Sequence, residues 1–299
     1  MKVLSTENNF LAIEEEVSRY DTSEILIVSA PYEHSVSYGA GTVFGPAAVL
    51  ESSGYVEFYD DEFDRELCYD KGIATAEPID FGDKVDADAL KLIYDQVKSG
   101  LDDGKFVVTV GGEHTISTAP IKAHIEKYPK MSVLHFDAHS DLRDEFEGSK
   151  YSHASVFARV IEFLDPERLT QVGIRAQCIE ESRLIKERGI NTFYASAIRR
   201  GIHGENWVEK LVATLAPEVY VSFDVDFFDP AVMPATGTPE PDGFGYNEAL
   251  AIFREMRRQG KQIIGFDVVE LAPIDGLTYP DITTSRLIYK MLNFAFEGK

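Results

Sequence analysis

The chain has 299 residues, 44% of them hydrophobic and 27% charged, with 22 Gly, 13 Pro and 2 Cys; that balance excludes a disordered chain, a collagen and a disulfide scaffold. Its 51 acidic against 29 basic residues leave a formal net charge of −22, which repels nucleic acid and anionic membranes, because both require clustered cations. The charge permits a cationic ligand, although solvation alone is a sufficient reason for it.

The N-terminus, MKVLSTENNFLAIEEEVSRY, places three consecutive Glu where a secretory signal needs an apolar core. No apolar run approaches the roughly 20 residues that span a bilayer, so a cytoplasmic protein is expected. Cys68 and Cys178 lie outside any CxxC pair, fit a reducing compartment and read as packing residues. The first strand-like run is ILIVSA from Ile25. Gly39 to Gly45, in SYGAGTVFGP, lacks the GK[ST] of a phosphate loop and reads as a turn whose glycines supply positive φ, with Pro46 opening a helix. Leu90 to Leu101 has apolar residues at three and four spacing and reads as a helix. Further apolar runs follow: FVVTV from Phe106, MSVLHF from Met131, TQVGI from Thr170, EVYVSF from Glu218 and, after a helical stretch from Asn247 to Gln259, QIIGF from Gln262. Nearly continuous apolar strands separated by helices indicate a parallel sheet covered on both faces. The expected fold is a three-layer α/β/α domain spanning residues 1–299, since no linker or repeat divides the chain. Ligands in such sheets bind beyond the carboxyl ends of the strands.

Three clusters directly follow apolar runs: GGEH at 111–114, FDAHSD at 136–141 and SFDVDFFDP at 222–230. Asp137, His139 and Asp141 recur every two residues, so in extended backbone all three converge on one side. The same parity places Asp224 and Asp226 on one side of their strand end, with Asp229 beyond them capping the turn at Pro230. Carboxylates about 4 Å apart repel by about 4 kcal/mol per pair at an effective dielectric near 20. No Lys or Arg inside the clusters offsets the repulsion among Asp137, Asp141, Asp224 and Asp226. Two divalent metals would supply the missing charge, with His114 and His139 completing a shell of nitrogen and oxygen. That shell favours manganese, leaves zinc, nickel and cobalt open, and excludes a thiolate site. Paired metals acidify a water held between them, so hydrolysis is the expected reaction. His153, in KYSHASVF, and Glu270, in GFDVVELAP, are candidates for the remaining roles. His135 lies inside its apolar run and reads as a core residue, and Asp267 as a loop anchor.

In this order the motifs resemble the ureohydrolase family, which includes arginase, agmatinase and formiminoglutamase. The resemblance runs through SYGAGTVFGPAAV, GGEHTIS, HFDAHSDLRD, YSHASVF, SFDVDFFDPAVMPATGTPEP and GFDVVELAP, nearly the whole chain. It implies an eight-stranded parallel sheet, two manganese ions per subunit bridged by hydroxide, and trimers or hexamers. It implies further that His114 and Asp141 hold one metal, His139 and Asp226 the other, and that Asp137 and Asp224 bridge them. Glu270 would orient a guanidinium, Asp141 would pass a proton to the leaving amine, and His153 would shuttle protons to solvent.

Arginases resemble one another in an Asn two residues after the last Asp of HFDAHSD; Arg143 stands here, so arginase activity is not expected. Arg143 either clamps a substrate carboxylate, as the similar Arg of formiminoglutamases does, or is neutralised by Asp144, Glu145 or Glu147. The second reading is preferred, because LRDEFEGSKYSH and ELAPIDGLTYPDITTSRLIYK resemble the agmatinase branch and the local acids suit a distal ammonium. The expected substrate is a small cationic guanidino compound, agmatine or aminopropylagmatine, cleaved to urea and putrescine or spermidine. Formiminoglutamate hydrolysis is the alternative. A non-catalytic metal-binding regulator is a third reading, opposed by the retention of every ligand.

Overall fold

The computed structural model describes residues 1–297. Its main sheet is built from β1 (Ile25–Ala30), β2 (Ile73–Thr75), β3 (Phe106–Gly111), β4 (Ser132–Phe136), β5 (Leu169–Val172), β6 (Asn191–Phe193), β7 (Glu218–Asp224) and β8 (Gln262–Val269). All eight are parallel, in the order β2-β1-β3-β8-β7-β4-β5-β6. The six apolar runs account for every strand except β2 and β6. Those two have three residues each and lie at the sheet edges, too short to carry a pattern.

Alternate strand residues pack into opposite layers. Ile25 and Ile27 of β1 join a core with the helices Gly45–Ser53, Tyr246–Arg258 and Tyr279–Ala295, whereas Leu26 and Val28 face the helix Asp86–Asp102. Farther along the second face, Val133 and Tyr220 pack with the helices Thr118–Lys127 and Val156–Val160. The expected helix at Leu90 to Leu101 lies within Asp86–Asp102, and its Leu90, Ile93, Val97 and Leu101 are buried at three and four spacing. Among the described residues no helix is long and apolar enough to cross a membrane.

Two local expectations need correction. Of Gly39, Gly41 and Gly45 only Gly41 has a positive φ, 124°; Gly39 and Gly45 are required by close approach, since a Cβ would meet the Gly237 carbonyl at 2.8 Å and the Leu271 carbonyl at 2.5 Å. Pro46 does sit in the first turn of its helix. Cys68 is a buried core residue, but Cys178 is half-buried and precedes the helix Ile179–Arg188, where its N–H donates to Glu181 at 2.6 Å.

The strand order determines where polar residues meet. β3, β8, β7 and β4 are consecutive neighbours in the sheet, and GGEH, Glu270, the Asp224 segment and the Asp137 segment stand at their carboxyl ends. The chain passes from β3 to β4 across the positions of β8 and β7, and such a reversal opens a crevice at that end of the sheet.

His124 fixes the packing between Thr118–Lys127 and the sheet. It is fully buried, its Nδ1 donates to the Pro120 carbonyl at 2.8 Å, and its ring lies 4.7 Å from that of Tyr220. Nε2 has no partner and presses on Gly265, where a Cβ would fall 2.1 Å away. Burial lowers its pKa to about 4 from the ordinary 6.5. The native state therefore holds the neutral ring while the unfolded chain binds a proton, so stability is complete above pH 6.5 and falls as pH drops toward 4, by about 3 kcal/mol in all. Denaturant unfolding of His124→Gln across pH 4 to 7 should lose that part of the slope. An unchanged slope would contradict the assignment.

Candidate metal centre and its crevice

β4 ends at Phe136, and the chain continues through Asp137 to His139, which pairs with Ala176 as one more step of parallel ladder. Asp141 then takes a left-handed backbone, φ 51°. The parity argument thus holds from Asp137 to His139 and fails at Asp141, which is turned by its own backbone. The three side chains do not meet at one point. Asp141 Oδ2 lies 3.1 Å from His114 Nδ1, whereas His139 Nδ1 lies 2.8 Å from Asp226 Oδ2. Asp137 stands between, with Oδ2 at 3.1 Å from His114 Nδ1 and Oδ1 at 3.5 Å from His139 Nδ1.

Asp224 is the last residue of β7, and its carboxylate Oδ1 accepts the Asp226 N–H at 2.8 Å to start a 3-10 turn over Val225–Phe227. A helical turn, not strand alternation, brings Asp224 and Asp226 together. Asp224 Oδ2 is 3.3 Å from His114 Nδ1, and Asp226 Oδ1 accepts the Ala138 N–H at 2.9 Å. Asp229 does act as a cap, accepting the Ala231 N–H at 3.0 Å. Apart from His139, which is about a quarter exposed, the side chains of His114, Asp137, Asp141, Asp224 and Asp226 are buried.

The donor set fits a pair of metal ions. His114 Nδ1 is buried with no hydrogen-bond partner and faces three carboxylate oxygens. Its other nitrogen, Nε2, lies 3.0 Å from Ser222 Oγ, which donates to Asp267 at 2.8 Å. Nε2 therefore keeps a proton, which leaves Nδ1 as the nitrogen a metal ion would take in place of a proton. Asp267 is no loop anchor: it is fully buried within β8 and also accepts hydrogen bonds from Ser117 at 2.9 Å and Tyr220 at 2.8 Å. His135 is buried as expected, but its Nε2 donates to Asp137 Oδ2 at 2.7 Å while Nδ1 accepts from Gln171 at 3.0 Å. It orients a carboxylate and offers no free lone pair. Ser222, Gln171 and the Asp137 contact of His135 were not singled out in the sequence, and Asp267 was given only a loop role, because each lies inside an apolar run.

Titration follows the same geometry. Burial and the neighbouring Asp137 push Asp141 up to about 7, and burial with adjacent carboxylates raises Asp224 and Asp226. Burial also acts to raise Asp137, yet the neighbouring imidazoles of His135, His114 and His139 hold it well below the usual carboxylate range. Burial opposes charge on His114 and His139, but the surrounding carboxylates keep both well above 6.5. Protein groups alone balance this cluster only by binding protons, which divalent cations would replace.

Above the cluster lies a crevice of about 230 Å³ whose walls include Ser37, Arg143, Phe146, His153, Glu240 and Glu270. Glu270 follows β8 with φ 67°. Its Oε1 accepts the His114 N–H at 2.6 Å, and burial raises its pKa to about 8. His153 opens a 3-10 turn, with Nδ1 3.1 Å from Ser35 Oγ. The acids at Asp144, Glu145 and Glu147 do not line this crevice, and Asp144 is paired with Arg159 at 2.7 Å. Glu240 takes their place, its Oε1 3.9 Å from His139 Nε2. Arg143 is not neutralised by its sequence neighbours either: among the described residues no carboxylate lies within ion-pair distance, and its guanidinium sits 5.3 Å from the Phe146 ring. Glu181, a buried residue of the crevice wall, accepts the Leu142 N–H at 2.9 Å and so holds the Asp141 turn.

A profile described as the arginase family matches residues 23–293. The N(1)-aminopropylagmatine ureohydrolase of Synechocystis sp. is 39% identical over 291 residues, covering 95% of this chain and 93% of its own. The agmatinase of Bacillus anthracis is 34% identical over 275 residues, covering 91% and 92%. The solved structure of proclavaminate amidino hydrolase from Streptomyces clavuligerus matches with a TM-score of 0.84 at 25% identity, over 99% of this chain and 97% of that one. With the family profile spanning every strand and every residue of the metal cluster, this chain belongs to the arginase family, on its agmatinase-type ureohydrolase branch.

Proposed function

We propose that the chain hydrolyses the guanidino group of agmatine or aminopropylagmatine, using two manganese ions per subunit, to give urea and putrescine or spermidine as a step of polyamine synthesis. The observation that carries this is the gathering of four carboxylates and two imidazoles at adjacent strand ends, beneath a crevice that also contains Glu270. His114 and Asp141 would hold one ion, His139 and Asp226 the other, with Asp137 and Asp224 shared. When bound, the ions would supply a water acidified enough to attack near neutral pH and an electrophilic contact for the substrate.

The chain's own groups do the rest. Glu270 has one oxygen fixed by the His114 N–H, which leaves the other for a charge-assisted bond from the guanidinium. Asp141 takes the proton that the attacking water releases and passes it to the leaving amine, and His153 exchanges protons with solvent. Glu240, at the crevice mouth, meets the distal ammonium. A second reading has one observation in its favour: Arg143 faces the crevice without a carboxylate partner, which suits a substrate that ends in a carboxylate, such as formiminoglutamate.

Three measurements check these assignments. Manganese-loaded protein should release urea from agmatine or aminopropylagmatine with a kcat/KM at least about a hundredfold above that for formamide release from formiminoglutamate; the opposite order would establish the Arg143 reading instead. Glu240→Gln should raise the KM for agmatine about five- to tenfold, roughly 1 to 1.4 kcal/mol, with little change in kcat. Equal KM values would remove Glu240 from substrate binding. Asp267→Asn should weaken manganese binding in calorimetric titration by about 10- to 100-fold, and wild-type affinity would show that Asp267 does not orient His114.

A further inference from the structure

The hydrogen bonds around Ser35 have a direction. Ser35 Oγ lies 2.9 Å from Glu113 Oε1, 3.0 Å from the backbone nitrogen of His153 and 3.1 Å from His153 Nδ1. A hydroxyl has one proton to give and two lone pairs to offer. Glu113 is buried and, as a carboxylate, only accepts: it takes the His34 and Ser35 N–H groups at 2.7 Å each and the Thr115 hydroxyl at 2.6 Å. The Ser35 proton therefore goes to Glu113. One Ser35 lone pair receives the His153 N–H, and the other faces Nδ1, which must then be the donor.

We propose that Ser35 is a positioning residue: bound to Glu113, it fixes His153 as the Nδ1–H tautomer and leaves Nε2 as the basic nitrogen available to the crevice. Three segments distant in sequence build the arrangement. The loop after β1 supplies Ser35, the end of β3 supplies Glu113, and the segment between β4 and β5 supplies His153. The loop is held firmly. Glu33 accepts the Gly41 N–H at 2.7 Å and the Thr42 N–H at 2.6 Å, and Gly112 lets the chain pass, because a Cβ there would lie 2.1 Å from the Tyr32 carbonyl. The Phe146 ring stands edge-on to His153 at 5.6 Å. Burial lowers the pKa of His153, with Glu113 opposing and the His139 and His114 charges reinforcing it, and so favours the neutral ring on which a tautomer is defined.

The consequence for catalysis rests on the ureohydrolase reading above. Nε2 takes a proton from solvent water while the Nδ1–H stays on Ser35, and once Asp141 has supplied the proton that releases the neutral amine, Nε2 gives its proton to that amine to form the ammonium product, restoring the neutral ring. Without Ser35 the ring would favour the opposite tautomer, with the proton on Nε2 and no lone pair there.

Full-length protein labelled with 15N-histidine tests the tautomer directly. Long-range proton–nitrogen spectra resolve the seven histidines, and the signal missing from His153→Asn identifies His153. In the wild type its Nδ1 should show the protonated shift and Nε2 the unprotonated one. Ser35→Ala should move both toward the reverse pattern and lower kcat for agmatine about tenfold with KM nearly unchanged, and Ser35→Thr should restore both readouts. A wild-type His153 protonated at Nε2, or a Ser35→Ala spectrum unchanged at His153, overturns the proposal; should Ser35→Ala fail to fold, the wild-type and Ser35→Thr spectra still decide it. Absence of urea release from any guanidino substrate would refute the functional reading instead, while the spectra would still report on the tautomer.

Discussion

The structure is governed by the repulsion among Asp137, Asp141, Asp224 and Asp226. At an effective dielectric near 20, two such carboxylates about 4 Å apart repel by about 4 kcal/mol, and a domain's whole stability is about 5 to 15 kcal/mol. The fold answers with peptide donors that become available where strands end. The His139 N–H binds Asp137, the Ala138 N–H binds Asp226, and the Asp226 N–H binds Asp224. Within a ladder those N–H groups would be committed to a neighbouring strand. The cluster therefore belongs at the carboxyl ends of β3, β8, β7 and β4, where backbone donors and two imidazoles offset part of the negative charge and cations can offset the rest.

The same constraint explains why the layer behind the cluster is polar although it lies within apolar strands. An imidazole in the wrong tautomer would present a proton where a lone pair is required, and a carboxylate without a fixed partner would be free to rotate away. Asp267, Ser222 and Tyr220 fix His114, and Gln171 fixes His135, which in turn fixes Asp137. Arg175 closes the arrangement on the Asp226 side. Its guanidinium donates to the carbonyls of Gly173, Asp226 and Glu240 at 3.1, 2.6 and 3.0 Å, so the turn that holds Asp226 and the loop that holds Glu240 move together. Backbone strain marks the same region: Asp141 and Glu270 both adopt positive φ, at a cost of about 1 to 2 kcal/mol each.

The cluster of His and Asp residues was legible in the sequence because D-x-H-x-D and D-x-D after apolar runs have no packing purpose, and the sheet because its six longer strands are nearly pure apolar runs. What was not legible depends on contacts between distant segments. Edge strands of three residues carry no pattern. Ser222 and Asp267 resemble any polar residue in a strand until strand order places β7 beside β8 with Ser222 opposite Asp267. The position of Arg143 was misjudged for a related reason. Proximity in sequence suggested that Asp144 would neutralise it, but Asp144 turns outward to Arg159 and leaves the guanidinium over Phe146 at the crevice wall.

On the proposed reading, selection among substrates is made at that wall and not at the metals. Guanidino and formimino groups share a planar, charged amidine head, and Glu270 with the metal cluster would recognise that head in either. Discrimination then rests on the tail, for which the crevice offers Glu240 and the guanidinium of Arg143, since Glu181, which also lines it, is held by the Leu142 and Cys178 N–H groups. The chain's net charge of −22 raises the local concentration of cations but is screened over about 8 Å at physiological ionic strength. It speeds encounter with a cationic substrate without choosing its length or end group. Arg143 is stacked on Phe146, and its charge also acts on the exposed carboxylate of Glu180; both reduce its pull on a substrate anion. Among the described residues Glu240 has no ion-pair partner apart from the Nε2 of His139. At 3.9 Å that contact is longer than a hydrogen bond, so the carboxylate of Glu240 stays available at the mouth, and a tail ending in an ammonium is the one it would hold.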